Sequence, residues 1–233
     1  MAEVLVAGVY VANRPNTAAH VIHELASSRT HWVQQRWIGL APDGIGSFDL
    51  PCTARVVTRP QPKFLLLDEV TQDAGRFDWI LLCDDDVEFA PGFLDEFIHW
   101  VQRCDFALAQ PARTSDSYID HPIVQCLGGV SARRTRFVEI GPVVCIRRDA
   151  VPLLMPFGPK AGMGWGLDFI WPALLEQAGL RAGIIDAAPM AHRMRPAARS
   201  YDSSGANAVM ADLLALSPHL SRDEAFLVLE AYT

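Results

Sequence analysis

The chain has 233 residues, of which half are hydrophobic and one fifth are charged. A chain of this length buries about 70–75% of its unfolded surface, so a sizeable hydrophobic core is expected. The formal net charge of −7 argues against a nucleic-acid partner, because nucleic-acid-binding domains present dense patches of Lys and Arg. No Gly/Ser-rich linker or low-complexity tract divides the sequence, which favours one α/β domain.

The cysteines and the N-terminal residues indicate the cellular compartment in which the protein is expected. The five cysteines are odd in number, widely spaced and without a CxxC pair, a usage typical of reduced cytosolic thiols. The apolar N-terminus contains Glu3, lacks a basic flank and ends near Pro15, which predicts a first core strand rather than a signal peptide. No apolar run approaches the ~20 residues of a membrane span. A cytoplasmic protein without a membrane span is therefore expected.

Strand and helix patterns alternate along the chain. Strands are predicted at 4–11, 33–40, 55–58, 79–83, 106–109, 137–146 and 182–185, and helices at 17–27, 63–72, 91–103 and 168–177. This alternation predicts a mostly parallel sheet with helices on both faces. After Pro196 the character changes, and two amphipathic helices are predicted at 206–216 and 221–231. Residues 1–196 are thus expected to form the main domain, and 197–233 a C-terminal helical extension packed on it.

The central predicted strand, WILLC, runs directly into Asp84, Asp85 and Asp86. Three adjacent carboxylates repel one another and are costly unless a cation neutralises them. Because side chains alternate along a strand, Asp84 and Asp86 are expected to point the same way. Ligands of parallel sheets bind beyond the carboxyl ends of the strands. Mg²⁺ and Mn²⁺ prefer oxygen ligands and often bind protein carboxylates and substrate phosphates at the same time. The stretch predicts a site for a metal and a nucleotide diphosphate; the alternative is an acidic turn that caps the next helix.

A glycine-rich segment, GMGWGLD at 162–168, precedes a predicted helix. Glycines let the backbone approach a ligand closely, and Asp168 emerges at the start of the helix. The spacing is not that of a dinucleotide-binding fingerprint. Two interpretations stay open, because Asp168 could be a functional carboxylate or a simple helix cap, and Trp165 a ligand contact or a core residue.

The segment AHRMRP at 191–196 follows the last predicted strand. His192 could meet Asp86 around one metal ion, and an imidazole beside carboxylates suits Mn²⁺ better than Mg²⁺. A single histidine is more often a core or solvated residue than a ligand, so both interpretations stay open. Arg193 and Arg195 could neutralise phosphate, or could be surface charges.

Taken in order, these segments resemble the glycosyltransferases of the GT-A fold, particularly the family 2-like enzymes. The resemblance spans about residues 4–196: a nucleotide-binding N-terminal half, then WILLCDDDVEFAPGFLDEF, GPVVCIRRDAV and GWGLDFIW. It implies an α/β fold in which a mostly parallel sheet flanked by helices combines a Rossmann-like nucleotide-binding half with an acceptor half.

The resemblance also implies roles for individual residues. Asp84 matches the position that faces the nucleotide and ribose, and Asp85 the position near the donor sugar. Asp86 and His192 match metal ligands, and Asp168 the catalytic base. Lys63 and Asp43 match the positions that hold the base and ribose of the nucleotide. Trp165 and Arg195 are further candidates for binding the nucleotide sugar.

The implied activity is metal-dependent transfer of a sugar from a nucleotide-diphosphate sugar to an acceptor hydroxyl. The expected donor is a UDP-sugar, and the expected transfer inverts the anomeric configuration. Mn²⁺ or Mg²⁺ would stabilise the leaving diphosphate, and a carboxylate would take the proton of an unidentified glycan or small-molecule acceptor. A sugar-phosphate nucleotidyltransferase is an alternative, although residues 8–16 hold one glycine and one arginine where that class has a Gly-rich basic loop. A non-catalytic nucleotide-sugar-binding protein is the other alternative.

Overall fold

The computed structural model describes residues 1–41, 44, 46, 50–195 and 203–233. The strands, in chain order, are β1 Ala2–Val11, β2 His31–Leu40, β3 Thr53–Val57, β4 Trp79–Asp84, β5 Glu88–Phe89, β6 Phe106–Arg113, β7 Ala132–Thr135, β8 Val143–Arg147, β9 Arg181–Ala191 and β10 Val228–Tyr232. The helices are α1 Ala18–Ala26, α2 Lys63–Val70, α3 Phe93–Arg103, α4 Val151–Leu154, α5 Leu167–Gln177, α6 Ser203–Leu216 and α7 Arg222–Ala225. No helix in these ranges is both long and apolar enough to cross a membrane.

All ten described strands belong to one sheet, in the order β10-β7-β9-β6-β8-β4-β1-β2-β3, with β5 paired to β9. β1 is parallel to β2 and β4, and β6 is parallel to β9. β8 lies antiparallel between β4 and β6. Only β5, β7 and β8 run against the other strands. The prediction of a mostly parallel sheet is confirmed.

The central strand β4 shows why the sheet is covered on both faces. Leu81 and Cys83 pack in the apolar cluster that contains α1 and α3, whereas Ile80 and Leu82 pack in the cluster that contains α2 and α5. All four side chains are buried. A strand that buries both of its faces needs a continuous apolar run, which is the pattern that predicted it.

The C-terminal extension differs from its prediction. α6 accounts for the first predicted helix, but the second is only the single turn α7, after which β10 pairs antiparallel with β7. The predicted capping box is present, with Ser221 and Glu224 bonding each other's backbone. It starts a helix that ends within one turn, because the following residues bond to the edge of the sheet instead, and such tertiary pairing overrides local propensity. The extension therefore adds a strand to the sheet and is not purely helical.

The predicted strand at 137–146 is also wrong in its first half. Phe137 and Val138 are buried but lie outside any strand, and β8 begins only at Val143. The hydrophobicity of this segment reflects burial in the core, which an apolar run alone does not distinguish from strand pairing. The short elements β5, β7 and α4 were not predicted.

Candidate functional site

A cavity of about 1190 Å³ opens beyond the carboxyl ends of β1 and β4. Ligand pockets commonly measure roughly 300–1,000 Å³, so this cavity lies slightly above the upper end of that range. The predicted site residues that line it are Lys63, Asp84, Asp85, Asp86, Trp165, Asp168, His192 and Arg195. Asp43 lies outside the described residues. The structure thus brings together side chains that are more than 130 positions apart in the sequence.

Asp84 is the last residue of β4 and forms an ion pair with Lys63 at the start of α2. Its backbone N–H donates to the carbonyl of Pro142 at 2.8 Å. A Cβ added to Gly141 would stand 3.3 Å from both Asp84 Oδ2 and Lys63 Nζ. The missing side chain therefore leaves room beside this ion pair, where a ligand could approach the backbone.

The chain bends after Asp84, and the strand alternation stops there. Asp85 and Asp86 both bond Arg195, whose Nε donates to Asp86 Oδ2 at 3.0 Å and whose Nη2 contacts Asp85 Oδ1. Asp85 also accepts a hydrogen bond from the backbone N–H of Val11 at 2.7 Å. Asp84 and Asp86 therefore have different partners, Lys63 and Arg195, rather than facing one ion together as the strand pattern suggested.

Asp86 and His192 meet at the edge of the sheet. Asp86 Oδ2 lies 3.3 Å from His192 Nε2, and the backbone N–H of His192 donates to Ser117 Oγ at 2.9 Å. Neighbouring ligands of an octahedral ion with bonds of about 2.1 Å lie roughly 3 Å apart, so this separation fits a shared divalent cation. No three His, Cys, Asp or Glu side chains in the described part of the chain are grouped closely enough to hold a metal. Phosphate and water would complete the coordination, as is usual for Mg²⁺.

Burial acts to raise the pKa of both Asp85 and Asp86, whereas nearby positive charge acts to lower it. Burial raises the pKa of Asp85 to about 6, although the positive charge of Arg195 opposes this shift. Burial also opposes ionisation of Asp86, but hydrogen bonds and charge from His192 and Arg195 outweigh it and lower the pKa of Asp86. Asp86 is therefore an anion at neutral pH and is suited to bind a cation.

Asp168 is the second residue of α5, whose N-cap position is occupied by Gly166 with φ +96°. A side chain would be strained at that φ, so glycine is needed for the chain to enter the helix here. Asp168 Oδ1 is buried and has no hydrogen-bond partner among the described residues. Burial raises the pKa of Asp168 to about 6. A carboxylate with an open acceptor site in a cavity can take a proton from a bound hydroxyl.

Two buried charged residues of the cavity, Arg113 and Glu139, were missed by the sequence reasoning. Arg113, at the end of β6, is 2% exposed; it contacts Glu139 and donates to Asp120 Oδ2 at 3.1 Å. Burial raises the pKa of Glu139 to about 8, with Arg113 opposing the shift and the carboxylates of Asp120 and Asp168 adding to it. The available signal was a charged residue inside an otherwise apolar run, in ALAQPAR and in FVEIG.

His121 is a third missed residue of the cavity lining. Its ring lies 5.1 Å from the rings of both Phe137 and Phe226. Burial lowers the pKa of His121, so the ring is neutral at pH 7. His121 Nδ1 is buried without a hydrogen-bond partner in the described ranges, and is therefore available to a ligand.

Arg193 has a different environment from Arg195. It is exposed, pairs with Glu88 at 2.6 Å and Asp116 at 2.8 Å, and is not part of the cavity lining. Of the two arginines with a possible phosphate-neutralising role, only Arg195 lies where a ligand in the cavity could contact it.

Comparisons with known proteins bear on the fold. No family model and no curated protein matches the sequence. Among solved structures, the chain is similar to GalNAc-T7, crystallised with UDP, GalNAc and Mn²⁺, with a TM-score of 0.62 at 11% sequence identity. The match covers 84% of this chain and 44% of that chain, so this chain spans less than half the length of the protein that it matches. The likeness shows that the chain has the GT-A fold.

Proposed function

We propose that the protein is a glycosyltransferase that moves a sugar from a nucleotide-diphosphate sugar, most simply a UDP-sugar, to an acceptor hydroxyl. The observation that carries the proposal is the 3.3 Å separation of Asp86 Oδ2 and His192 Nε2 in a cavity that Asp168 also lines. The same fold in a protein crystallised with UDP, GalNAc and Mn²⁺ supports it. Asp168 Oδ1, which is buried and has no hydrogen-bond partner among the described residues, gives such an enzyme a candidate base.

Asp86 and His192 are the residues proposed to hold a divalent cation, Mn²⁺ or Mg²⁺. When bound, such an ion supplies positive charge that stabilises a leaving diphosphate. Arg195 already contacts two carboxylates, and its planar guanidinium suits phosphate oxygens equally well. Arg195 is therefore proposed to contact the diphosphate of the donor.

The proposed donor site continues along the cavity from the aspartates. Lys63 and Asp84 form the ion pair beside Gly141, and are proposed to bind the base and ribose, together with Asp43. Asp85 and Trp165 are proposed to contact the donor sugar.

Asp168 is proposed as the general base. It would take the proton from the acceptor hydroxyl as the hydroxyl oxygen bonds to the anomeric carbon and the bond from that carbon to the diphosphate breaks. A single displacement of this kind inverts the anomeric configuration. NMR of the anomeric centre of the product tests the inversion, and a retained configuration would contradict it.

Calorimetric titration with UDP, with and without Mn²⁺, tests the metal site. Wild-type protein is expected to bind UDP more tightly when Mn²⁺ is present, and Asp86→Ala to lose that difference. Arg193→Ala is the matched control, because Arg193 is a neighbouring charge outside the cavity, and it should bind like wild type. Unchanged Mn²⁺-dependent affinity in Asp86→Ala would remove the metal role from Asp86.

A thermal-shift screen of nucleotide sugars identifies the donor. A ligand that binds only the folded state stabilises it by about 2.7 kcal/mol at a hundredfold excess over Kd, which separates a true donor from the rest. Incubation with that donor then tests for an enzyme. Slow, metal-dependent release of nucleoside diphosphate is expected of a transferase, whereas an intact donor after prolonged incubation would favour a binding protein.

A further inference from the structure

A second part of the cavity lining is rich in apolar side chains, in contrast to the aspartates, although Asn207, His219, Ser221 and Arg222 also line it. It combines the glycine-rich loop, the start of α5, helix α6 and the connection to α7. The apolar side chains that line the cavity here are Met163, Trp165, Phe169, Met210, Leu214 and Leu220. We call these six residues the apolar wall.

The apolar wall is attached to the helix start that carries Asp168. A Cβ added to Gly166 would lie 3.3 Å from Met210 Cγ and 3.5 Å from Leu214 Cγ, so α6 packs directly against the start of α5. The backbone N–H of Leu220 donates to the carbonyl of Phe169 at 3.0 Å. The proposed base and the apolar wall are therefore neighbours in one cavity.

Helix α6 presents two faces with different exposure. Met210 and Leu214, one turn apart, line the cavity, as residues spaced i and i+4 share a helix face. Leu216 on the same helix is 69% exposed and is not part of the lining. The two faces can therefore be substituted separately.

Polar atoms beside the apolar wall are available to a ligand. Asp168 Oδ1 and His121 Nδ1 are both buried, line the cavity and have no hydrogen-bond partner in the part of the chain that the structure describes. A ligand that satisfied them and covered the wall would need a hydroxyl at one end and an apolar group beside it. A wholly polar acceptor would lose hydrogen bonds to water against Met and Leu side chains without replacing them.

We propose that the acceptor is an amphipathic molecule, whose hydroxyl lies at Asp168 and whose alkyl or aromatic body packs against the apolar wall. This inference rests on the proposed function, because it assigns the second substrate of the same site. It makes Met210 and Leu214 specificity-determining residues for the acceptor, and Trp165, which is also proposed to contact the donor sugar, would lie between the two substrates.

Calorimetry with two glucosides tests the inference. Hexyl β-D-glucopyranoside and methyl β-D-glucopyranoside share one head group, so their difference in affinity isolates the alkyl chain. In the presence of UDP and Mn²⁺, wild-type protein is expected to bind the hexyl glucoside at least about tenfold more tightly, because each buried methylene contributes favourably. Leu214→Ser should lose most of that preference, and Leu216→Ser should keep it.

The outcomes separate the inference from the proposed function. Equal or absent binding of the two glucosides, or a preference that Leu214→Ser leaves intact, would overturn the apolar acceptor. Should Leu214→Ser melt well below wild type, Met210→Gln provides a second change to the wall that preserves the length of the side chain. UDP binding is measured on the same samples. Its absence, with the hexyl preference intact, would overturn the proposed function but leave the apolar wall as a ligand site.

Discussion

Strands β1 to β4 fill the interior with hydrophobic side chains, whereas β6, β7 and β9 also bury polar and charged ones. No polar or charged side chain of β1 to β4 is buried, and even Asp84 at the end of β4 is partly exposed. In the other part of the sheet, the buried polar residues are Gln110, Arg113, Arg133, Thr135 and Asp186. The first region is the proposed nucleotide half and the second carries the proposed acceptor side.

The polar interior of the second region has a structural use. Arg133 Nε and Nη2 each donate to a different oxygen of Asp186 at 2.9 Å, which joins β7 to β9. The same guanidinium donates to the carbonyls of Ile123 at 2.7 Å and Gln125 at 2.9 Å. One ion pair therefore fixes the loop that also carries His121. The difference teaches that apolar packing builds the proposed nucleotide half, while a charge network shapes the proposed acceptor half.

The largest expected effect is a loss of turnover in a variant of the proposed acceptor half that still binds the donor nucleotide. Asp168→Asn removes the proposed base without removing volume, so turnover should fall about 10²–10⁴-fold while Mn²⁺-dependent UDP affinity stays unchanged. Asp86→Ala should instead lose the gain in UDP affinity that Mn²⁺ gives to wild type. Steady-state rates and calorimetry on both variants measure this. If Asp168→Asn turned over at the wild-type rate, the base would be another residue. Catalysis and donor binding would then no longer be assigned to separate halves.

Removal of Asp186 tests whether the charge network is structural. The Asp186 side chain is 0% exposed and Arg133 is 3% exposed, so Asp186→Ala leaves a buried charge unpaired and should lower the free energy of unfolding by about 3–5 kcal/mol. Glu176→Ala is the control, because the Arg136–Glu176 pair is partly exposed and should contribute about 0–1 kcal/mol. Urea denaturation measures both. Equal effects would mean that the buried network contributes no more than a surface pair.

This contrast also explains which parts of the fold could be predicted. The apolar run of β4 and the buried stripe of α3 are local signals, and both elements were predicted near their observed bounds. β7 could not be predicted, because Arg133 is tolerated inside the sheet only through Asp186, 53 positions later. β10 was predicted as helix because its pairing with β7 is invisible in its own residues.

Some residues of the candidate site could likewise be predicted from the sequence, and others could not. Asp84, Asp85 and Asp86 attract notice because three carboxylates after a buried strand need a counter-charge, and Asp168 because it follows closely spaced glycines. The signal at Glu139 is weaker, because it is a single charged residue in a short apolar run. Its setting arises only when β6 brings Arg113 against a segment 26 positions away.

The glycine-rich loop connects the two halves, and a substitution there sharpens the comparison. A Cβ on Gly164, at φ +90°, would stand 2.2 Å from the Phe64 ring of α2. Gly164→Ala combines backbone strain with a clash and should lower the free energy of unfolding by about 2–5 kcal/mol. Gly179→Ala carries only the strain, because its φ is +71° and no atom lies within 4 Å, and should cost about 1 kcal/mol. Similar melting temperatures for the two variants would contradict the close contact.

The smallest expected effect is the pH dependence that distinguishes wild type from Asp168→Asn. Burial raises the pKa of Asp168 to about 6, and only the ionised form accepts a proton, so kcat/KM of wild type should fall as the pH drops through 6. Burial also raises the pKa of Asp85 to about 6, so Asp85 contributes to the same acidic limb, and the difference in stability between the two proteins isolates Asp168. In the unfolded chain the pKa of Asp168 returns to about 3.9. Between these values the folded state binds the proton more tightly, so the ionised carboxylate costs stability as pH rises through this window.

Asp168→Asn has no such carboxylate, whereas Asp85 and Glu139, whose pKa values burial also raises, are present in both proteins. The stability gained by the variant over wild type should therefore grow from pH 4 to pH 7, which urea denaturation at both pH values measures. A constant difference would mean that Asp168 is solvated, and its burial beside the apolar wall would then no longer support its role as the base. An acidic limb of kcat/KM centred near pH 4 would lead to the same conclusion from activity.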